Sequence, residues 1–218
     1  MIQAIVHIAY MVAAVLFITG LQRLSRVRSA RQGNTISGIG MTIAILATLV
    51  HLYAIGNLHV QWMIIPAVLG AAVGLWWARA VAMTGMPQLV GVFNGFGGIA
   101  SLLVAFSFFF MHVIEMEHEH TTIFHALGGA EVAVTIVLSI LVGSVTFSGS
   151  LVAAGKLHGW VHDGPVLLPG RHVMNIVLIL GAVVLGIYAG FFSTDPNLGM
   201  ILLVVVALLS LLLGIGLT

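Results

Sequence analysis

"MTGMPQLVGVFNGFGGIASLLVAFSFFF", residues 83–110, contains no charged side chain. A helix needs about 20 mostly apolar residues to cross a bilayer, and this stretch supplies them. Asn94 stands near its middle, among glycines. A carboxamide in hydrocarbon is costly unless something hydrogen-bonds it. The stretch therefore decides the fold, and it also marks a place where function has to be sought.

The rest of the chain agrees with a membrane reading. Of 218 residues, 61% are hydrophobic and 6% charged, and the mean hydropathy is +1.20. A soluble domain carries about a quarter charged residues and cannot expose so much apolar surface without aggregating. Cysteine is absent, which removes disulfides, thiol catalysis and thiolate metal sites. A net charge of +1 with no basic tract leaves nothing to bind nucleic acid. The first twenty residues lack a basic start, and their arginines follow the apolar run. They read as a first spanning helix rather than a signal peptide.

Seven runs have the length and composition of spans: 2–21, 36–55, 60–79, 87–112, 126–154, 173–193 and 197–216. The fifth is longer than one crossing needs, so it tilts or emerges into water. Short polar or Gly/Pro-marked connections separate the runs, with no room for a folded soluble domain. The expected fold is an all-α membrane protein, a bundle of about seven helices, with residues 1–218 forming one transmembrane domain. Arg23, Arg26, Arg28 and Arg31 follow span 1, Arg79 ends span 3, and Lys156 and Arg171 lie between spans 5 and 6. All seven basic residues thus fall on one side. Glu115, Glu117, Glu119 and Asp195 fall on the other. By the positive-inside rule the N-terminus is outside and the chain ends on the cytoplasmic side.

Helical spacing then sorts the polar residues. At 100° per residue, Asn94 shares a face with Gly91, Gly98, Ser101 and Ala105, and His112 falls at the same angle. Small faces let membrane helices approach closely, so one reading is simple packing. The other is a water-lined path with Asn94 at its narrowest point. On span 5, Glu131, Thr135, Ser139, Gly143, Thr146 and Ser150 follow at spacings of 4, 4, 4, 3 and 4. They form one stripe along the helix, opposite a face of valine, leucine and isoleucine. Hydroxyls can bond their own i−4 carbonyls, so Ser and Thr alone would be unremarkable. A carboxylate opening the stripe fits a path lining, since intramembrane polar groups mostly face interiors or cavities. Glu131 in the headgroup layer, as a capping or packing residue, is the other reading.

Ten histidines are present. His51, late in span 2, is a candidate proton carrier, because histidine titrates near neutral pH. Merely solvated interfacial histidine is the plainer reading. "HVIEMEHEHTTIFH", residues 112–125, holds Glu117, His118 and His120, a set that can ligate zinc or nickel. It lacks fixed helical spacing and reads more simply as a solvated hairpin. No phosphate-binding loop, zincin motif or paired intramembrane histidines for haem occur. "GVFNGFGG" is not a dinucleotide fingerprint, because no strand precedes it.

"SARQGNTISGIGM" (29–41), "MTGMPQLVGVFN" (83–94), "GSVTFSGSLVAAGKL" (143–157) and "LLPGRHVMN" (167–175) together resemble the beta subunit of the proton-translocating nicotinamide nucleotide transhydrogenases. The resemblance runs from Tyr10 to the end of the chain with span order preserved. It implies a membrane subunit that couples hydride transfer between NAD(H) and NADP(H) to proton translocation across a bacterial inner membrane. Both nucleotides would be bound by partner domains and none by this chain. The implied partners are the NAD-binding and NADP-binding domains and the alpha-type membrane helices, in a complex that works as a homodimer. Asn94 stands where many members carry a histidine regarded as the proton carrier, and Ser150 matches the serine of "VTFxGS". Asparagine cannot titrate, so the carrier is expected elsewhere: His51, Glu131 or a histidine on a partner chain packed against span 4. Family beta subunits add two further helices and the NADP(H)-binding domain, so this chain alone is expected to catalyse nothing. The competing class is a metal or small-cation transporter using the His/Glu loop. A purely structural anchor is the third.

Overall fold

The structure is a computed structural model and describes residues 2–24, 28–56, 60–114, 122–161 and 170–218. Every regular element among these is helical: α1 (Ile2–Leu24), α2 (Ala30–Ala54), α3 (Val60–Ala80), α4 (Met86–Phe109), α5 (Ile123–Ala126), α6 (Ala130–His158), α7 (Arg171–Ile187) and α8 (Pro196–Leu217). All but α5 are long and apolar enough to cross a membrane, which makes seven candidate spans among the described residues. The chain is an all-α membrane protein. Its contacts divide it into two compact units, 1–75 and 76–218, and the division falls inside α3.

In the first unit α1 and α2 pack as an antiparallel pair. Val6, Ala13 and Gly20 are buried on α1, and Gly33, Gly40 and Ala47 on α2. Each set repeats every seven residues. That period keeps one seam of a helix facing its partner and winds the pair left-handedly. The residues are small because membrane helices associate by close packing rather than by expelling water. A Cβ on Gly40 would lie 3.0 Å from the Ala13 carbonyl oxygen, so the backbones approach closely there. Tyr10 and Thr48 join their hydroxyls across the pair at 2.9 Å.

The second unit is organised around α6, which packs against α4 on one side and α8 on another, with α7 against α8. The face of α6 that reads as valine, leucine and isoleucine supplies buried Ile136, Val137, Ile140 and Leu141. These join Phe109, Ile123, Leu203 and Val206 in one core. Ser144 and Ser148 are buried in the same helix, and each returns its hydroxyl to its own i−4 carbonyl, Ile140 O at 2.7 Å and Ser144 O at 3.1 Å. That satisfies a hydroxyl in an apolar interior without any partner helix.

The observed α6 starts and ends about four residues later than the 126–154 run suggests, because residues 123–126 form the separate helix α5. Gly128 and Gly129, both at positive φ (88° and 117°), make the turn between the two. Ile123 is 1% exposed, and its N–H donates to Ser193 O at 3.0 Å, so α5 is tied to the end of the α7 segment. Both α4 and α7 finish in a π-turn, at Phe110–Ile114 and Tyr188–Phe192.

Three hydrogen bonds show which helix ends gather together. Gln88 Nε2 donates to Leu157 O (2.8 Å), Lys156 Nζ to Thr218 O (2.7 Å) and Asn175 Nδ2 to Gly216 O (3.1 Å). The start of α4, the end of α6, the start of α7 and the end of α8 therefore share one end of this unit. Lys156 and Arg171 belong to that end, and Glu131 and Asp195 to the opposite one.

Candidate functional site

The seam between α4 and α6 brings the two polar features of the sequence together. Gly91, Gly95 and Gly98 of α4 face α6. A Cβ on Gly98 would sit 2.6 Å from Gly143 O and 2.8 Å from Phe147 N, and one on Gly143 would sit 2.6 Å from Gly98 O. Real side chains do not occupy such positions, so this crossing exists only because both residues are glycine. Thr146 closes it from the side, its Cβ 3.0 Å from the same hypothetical atom.

About one helical turn from the crossing, Asn94 Nδ2 donates to Ser150 Oγ at 2.8 Å. The bond links the carboxamide of α4 to the last hydroxyl of the α6 stripe. It uses one of the two amide hydrogens and leaves the carbonyl oxygen free to accept. Asn94 is exposed on the surface of this unit and Ser150 is half-buried, so those remaining groups face outward from the helix pair.

On the other side of the crossing the helices splay. Glu131, Thr135 and Ser139 line a cleft of about 370 Å³ with Val104, Ala105 and Phe108 of α4. Thr135 Oγ1 donates to Glu131 O at 2.6 Å. Phe108 carries the His112 ring stacked on it, centroids 4.0 Å apart, while His112 Nδ1–H donates to Phe108 O at 3.0 Å. The stripe that looks continuous on a helical wheel is thus divided: three residues in this cleft, Gly143 and Thr146 at the crossing, and Ser150 bonded beyond it. A second, larger cleft of about 590 Å³ opens past Ser150, at the end that carries Lys156.

The remaining candidates belong to other elements or to other faces. His51 is half-buried in the last turn of α2, in the other unit. Ser101 and His112, on the wheel face of Asn94, are exposed. The packed face of α4 is the one bearing Leu89, Gly95, Gly98 and Ala105. Glu117, His118 and His120 lie outside the described residues. Among the described residues no group of three or more His, Asp or Glu side chains is placed to hold a metal ion. Gln88, which ties α4 to the end of α6, attracted no notice in the sequence. An amide near a helix end reads as solvated. Its separation of seven from Gly95, which puts it on the packed face, was the available signal.

The sequence profile described as NAD(P) transhydrogenase beta subunit matches residues 6–218. Two curated relatives, both named NAD(P) transhydrogenase subunit beta and both from Rhodospirillum rubrum, are 39% identical over 168 residues, which is 75% of this chain and 34% of each relative. The chain spans about a third of the length of the relatives it matches.

Proposed function

This chain belongs to the NAD(P) transhydrogenase beta-subunit family, and we propose that its α4–α6 seam is a proton path in the membrane part of such an enzyme. In this reading hydride passes between NAD(H) and NADP(H) on partner domains, and the membrane part couples that transfer to proton translocation. The charged ends set the orientation. The end with Lys156 and Arg171 faces the cytoplasm of a bacterium and receives the NADP-binding domain, and the end with Glu131 and Asp195 faces outward. The complex is taken to be a homodimer.

The observation that carries the reading is the Asn94–Ser150 hydrogen bond. Two intramembrane polar side chains on different helices are joined, and the amide still presents a carbonyl and one N–H to the exposed face. Leaving those groups in hydrocarbon is costly, so they fit a face that meets water or a polar partner helix. Asparagine has no group that titrates at neutral pH. Its role is to hold a water or a titratable side chain of a partner helix in register with Ser150, whose hydroxyl both accepts from Asn94 and donates onward. Coupling then requires that the seam interact differently with two states of the nucleotide-binding domain.

The test is proton uptake by proteoliposomes containing the whole complex, supplied with NADPH and an NAD analogue. Asn94→Leu is expected to lower the rate of proton uptake by roughly tenfold or more, equivalent to about 1.4 kcal/mol. Uptake at the wild-type rate in Asn94→Leu assigns the residue to packing and overturns the reading.

A further inference from the structure

The larger cleft on the α4–α6 seam has a feature that packing does not explain. It lies between the start of α4 and the end of α6 and is lined by Leu89, Leu151 and Ala154 together with Trp77 and Trp160. Thr84, Gln88 and His158 also line it. Gln88 Nε2 is committed to Leu157 O, which fixes the orientation of the amide. Gln88 Oε1 is then buried, with no hydrogen-bond partner among the described residues. A buried acceptor left unmade costs about 1–3 kcal/mol. Ser37, Asn175 and Ser210 also carry a buried atom without a partner, but none of them lines either cleft of the α4–α6 seam.

We propose that this cleft is a hydrated vestibule on the Lys156 side of the Asn94–Ser150 bond and that Gln88 is the positioning residue that holds an ordered water in it. A single ordered water needs roughly 10–15 Å³ and two to four polar partners. The cleft offers about 590 Å³ and, besides Gln88 Oε1, the Thr84 hydroxyl and the His158 ring. A lipid tail fits the apolar part of the wall but cannot donate to Oε1. The inner limit of the vestibule is Gly91, where a Cβ would lie 3.2 Å from Ala154 Cβ and 3.4 Å from Ser150 O. Ser150 is one turn beyond Ala154 on α6. Gln88 precedes Asn94 by six residues, nearly two turns of α4, so water held at Gln88 stands on the Lys156 side of the Asn94–Ser150 bond, and the Gly98–Gly143 crossing shuts the seam beyond that bond. What the water serves rests on the proton-path reading; its presence does not.

The chain has no cysteine, so single substitutions report water directly, because only the thiolate reacts and it forms where water reaches. In membrane vesicles holding the whole complex, Ala154→Cys and Leu151→Cys are treated with a membrane-impermeant methanethiosulfonate applied to the Lys156 side. Modification is read as the mass of this chain. Val142→Cys, exposed on the apolar side of α6, is the lipid-facing control. Leu151→Cys, exposed in the cleft wall, is expected to react roughly tenfold faster than Val142→Cys, and Gln88→Leu is expected to slow it several-fold. Ala154→Cys, buried against Gly91, is expected to react more slowly than Leu151→Cys. Reaction of Leu151→Cys no faster than the control means a dry or lipid-filled cleft and overturns the proposal. Fast reaction unchanged by Gln88→Leu removes Gln88 from its role. If Gln88→Leu does not accumulate in the membrane, Gln88→Met, which keeps the reach of the stem and lacks the amide, gives the same comparison. Labelling is independent of turnover. A wet cleft with normal pumping in Asn94→Leu would sink the path reading alone, and a dry cleft with pumping lost would sink only the vestibule.

Discussion

The α1–α2 pair and the α4–α6 pair are both antiparallel and both built on small residues, yet they end in different chemistry. In α1–α2 the small residues repeat every seven positions along the seam, and the Tyr10 hydroxyl donates across it to Thr48 Oγ1, whose own hydrogen goes to Ala44 O. In α4–α6 the helices touch most closely at one crossing, Gly98 on Gly143, and splay into a cleft on each side. The polar groups of the second pair keep unused capacity at the exposed face. Small residues by themselves therefore say only that two membrane helices approach closely. A buried unsatisfied atom is not enough either, since Ser37 Oγ lies against Gly20 in the α1–α2 seam with no partner among the described residues; Gln88 Oε1 differs in lining an open cleft.

The largest effect is expected at the crossing. Gly98→Leu forces two backbones apart, and overpacking of this kind costs about 1–3 kcal/mol or more. Its neighbour Gly97 has nothing within 4 Å of a Cβ, so Gly97→Leu should unfold like wild type. Denaturant titration of the purified complex in detergent measures both, and equal stability of the two variants would deny that the crossing is tight. Asn94→Leu comes next; it removes one interhelical hydrogen bond, worth about 0.6 kcal/mol of stability, and its larger effect is on coupling.

Ser150→Ala should act in the same direction but less strongly. It removes the acceptor for Asn94 while leaving the carboxamide, so proton uptake in proteoliposomes is expected to fall about three- to fivefold, near 1 kcal/mol. A larger loss than in Asn94→Leu would reverse the order of the two roles. The smallest effect belongs to the first pair. Tyr10→Phe removes one interhelical hydrogen bond, worth about 0.6 kcal/mol in membrane helices, and should leave proton uptake unchanged. Impaired pumping in Tyr10→Phe would mean that the α1–α2 pair contributes to more than packing.

Asn94 and Ser150 stood out in the sequence on separate helices, because a polar side chain in an apolar run is conspicuous whatever surrounds it. Their hydrogen bond was not legible, since a helical wheel shows which residues share a face and not which face a helix 56 residues away will meet. The same limit made the α6 stripe look continuous. Its division depends on the two helices crossing at Gly143 and diverging beyond, which is a property of a pair. Gln88 went unnoticed for a related reason: its significance lies in a carbonyl, Leu157 O, at the far end of another helix.

Composition and run length determined the class of this protein. Hydrocarbon tolerates only backbone that satisfies its own hydrogen bonds, so an apolar run of span length can be little else than a helix. The ordered motifs likewise determined the family, because they are read directly from residue identity and spacing. Tertiary structure decided which small faces meet, where the α4–α6 seam closes and opens, and which buried amide oxygens are left without a donor. Lipid is as apolar as leucine, so hydropathy gives no preference for one helix partner over another. The choice rests on the shape and the few polar atoms of two surfaces, and those surfaces exist only once the helices are packed.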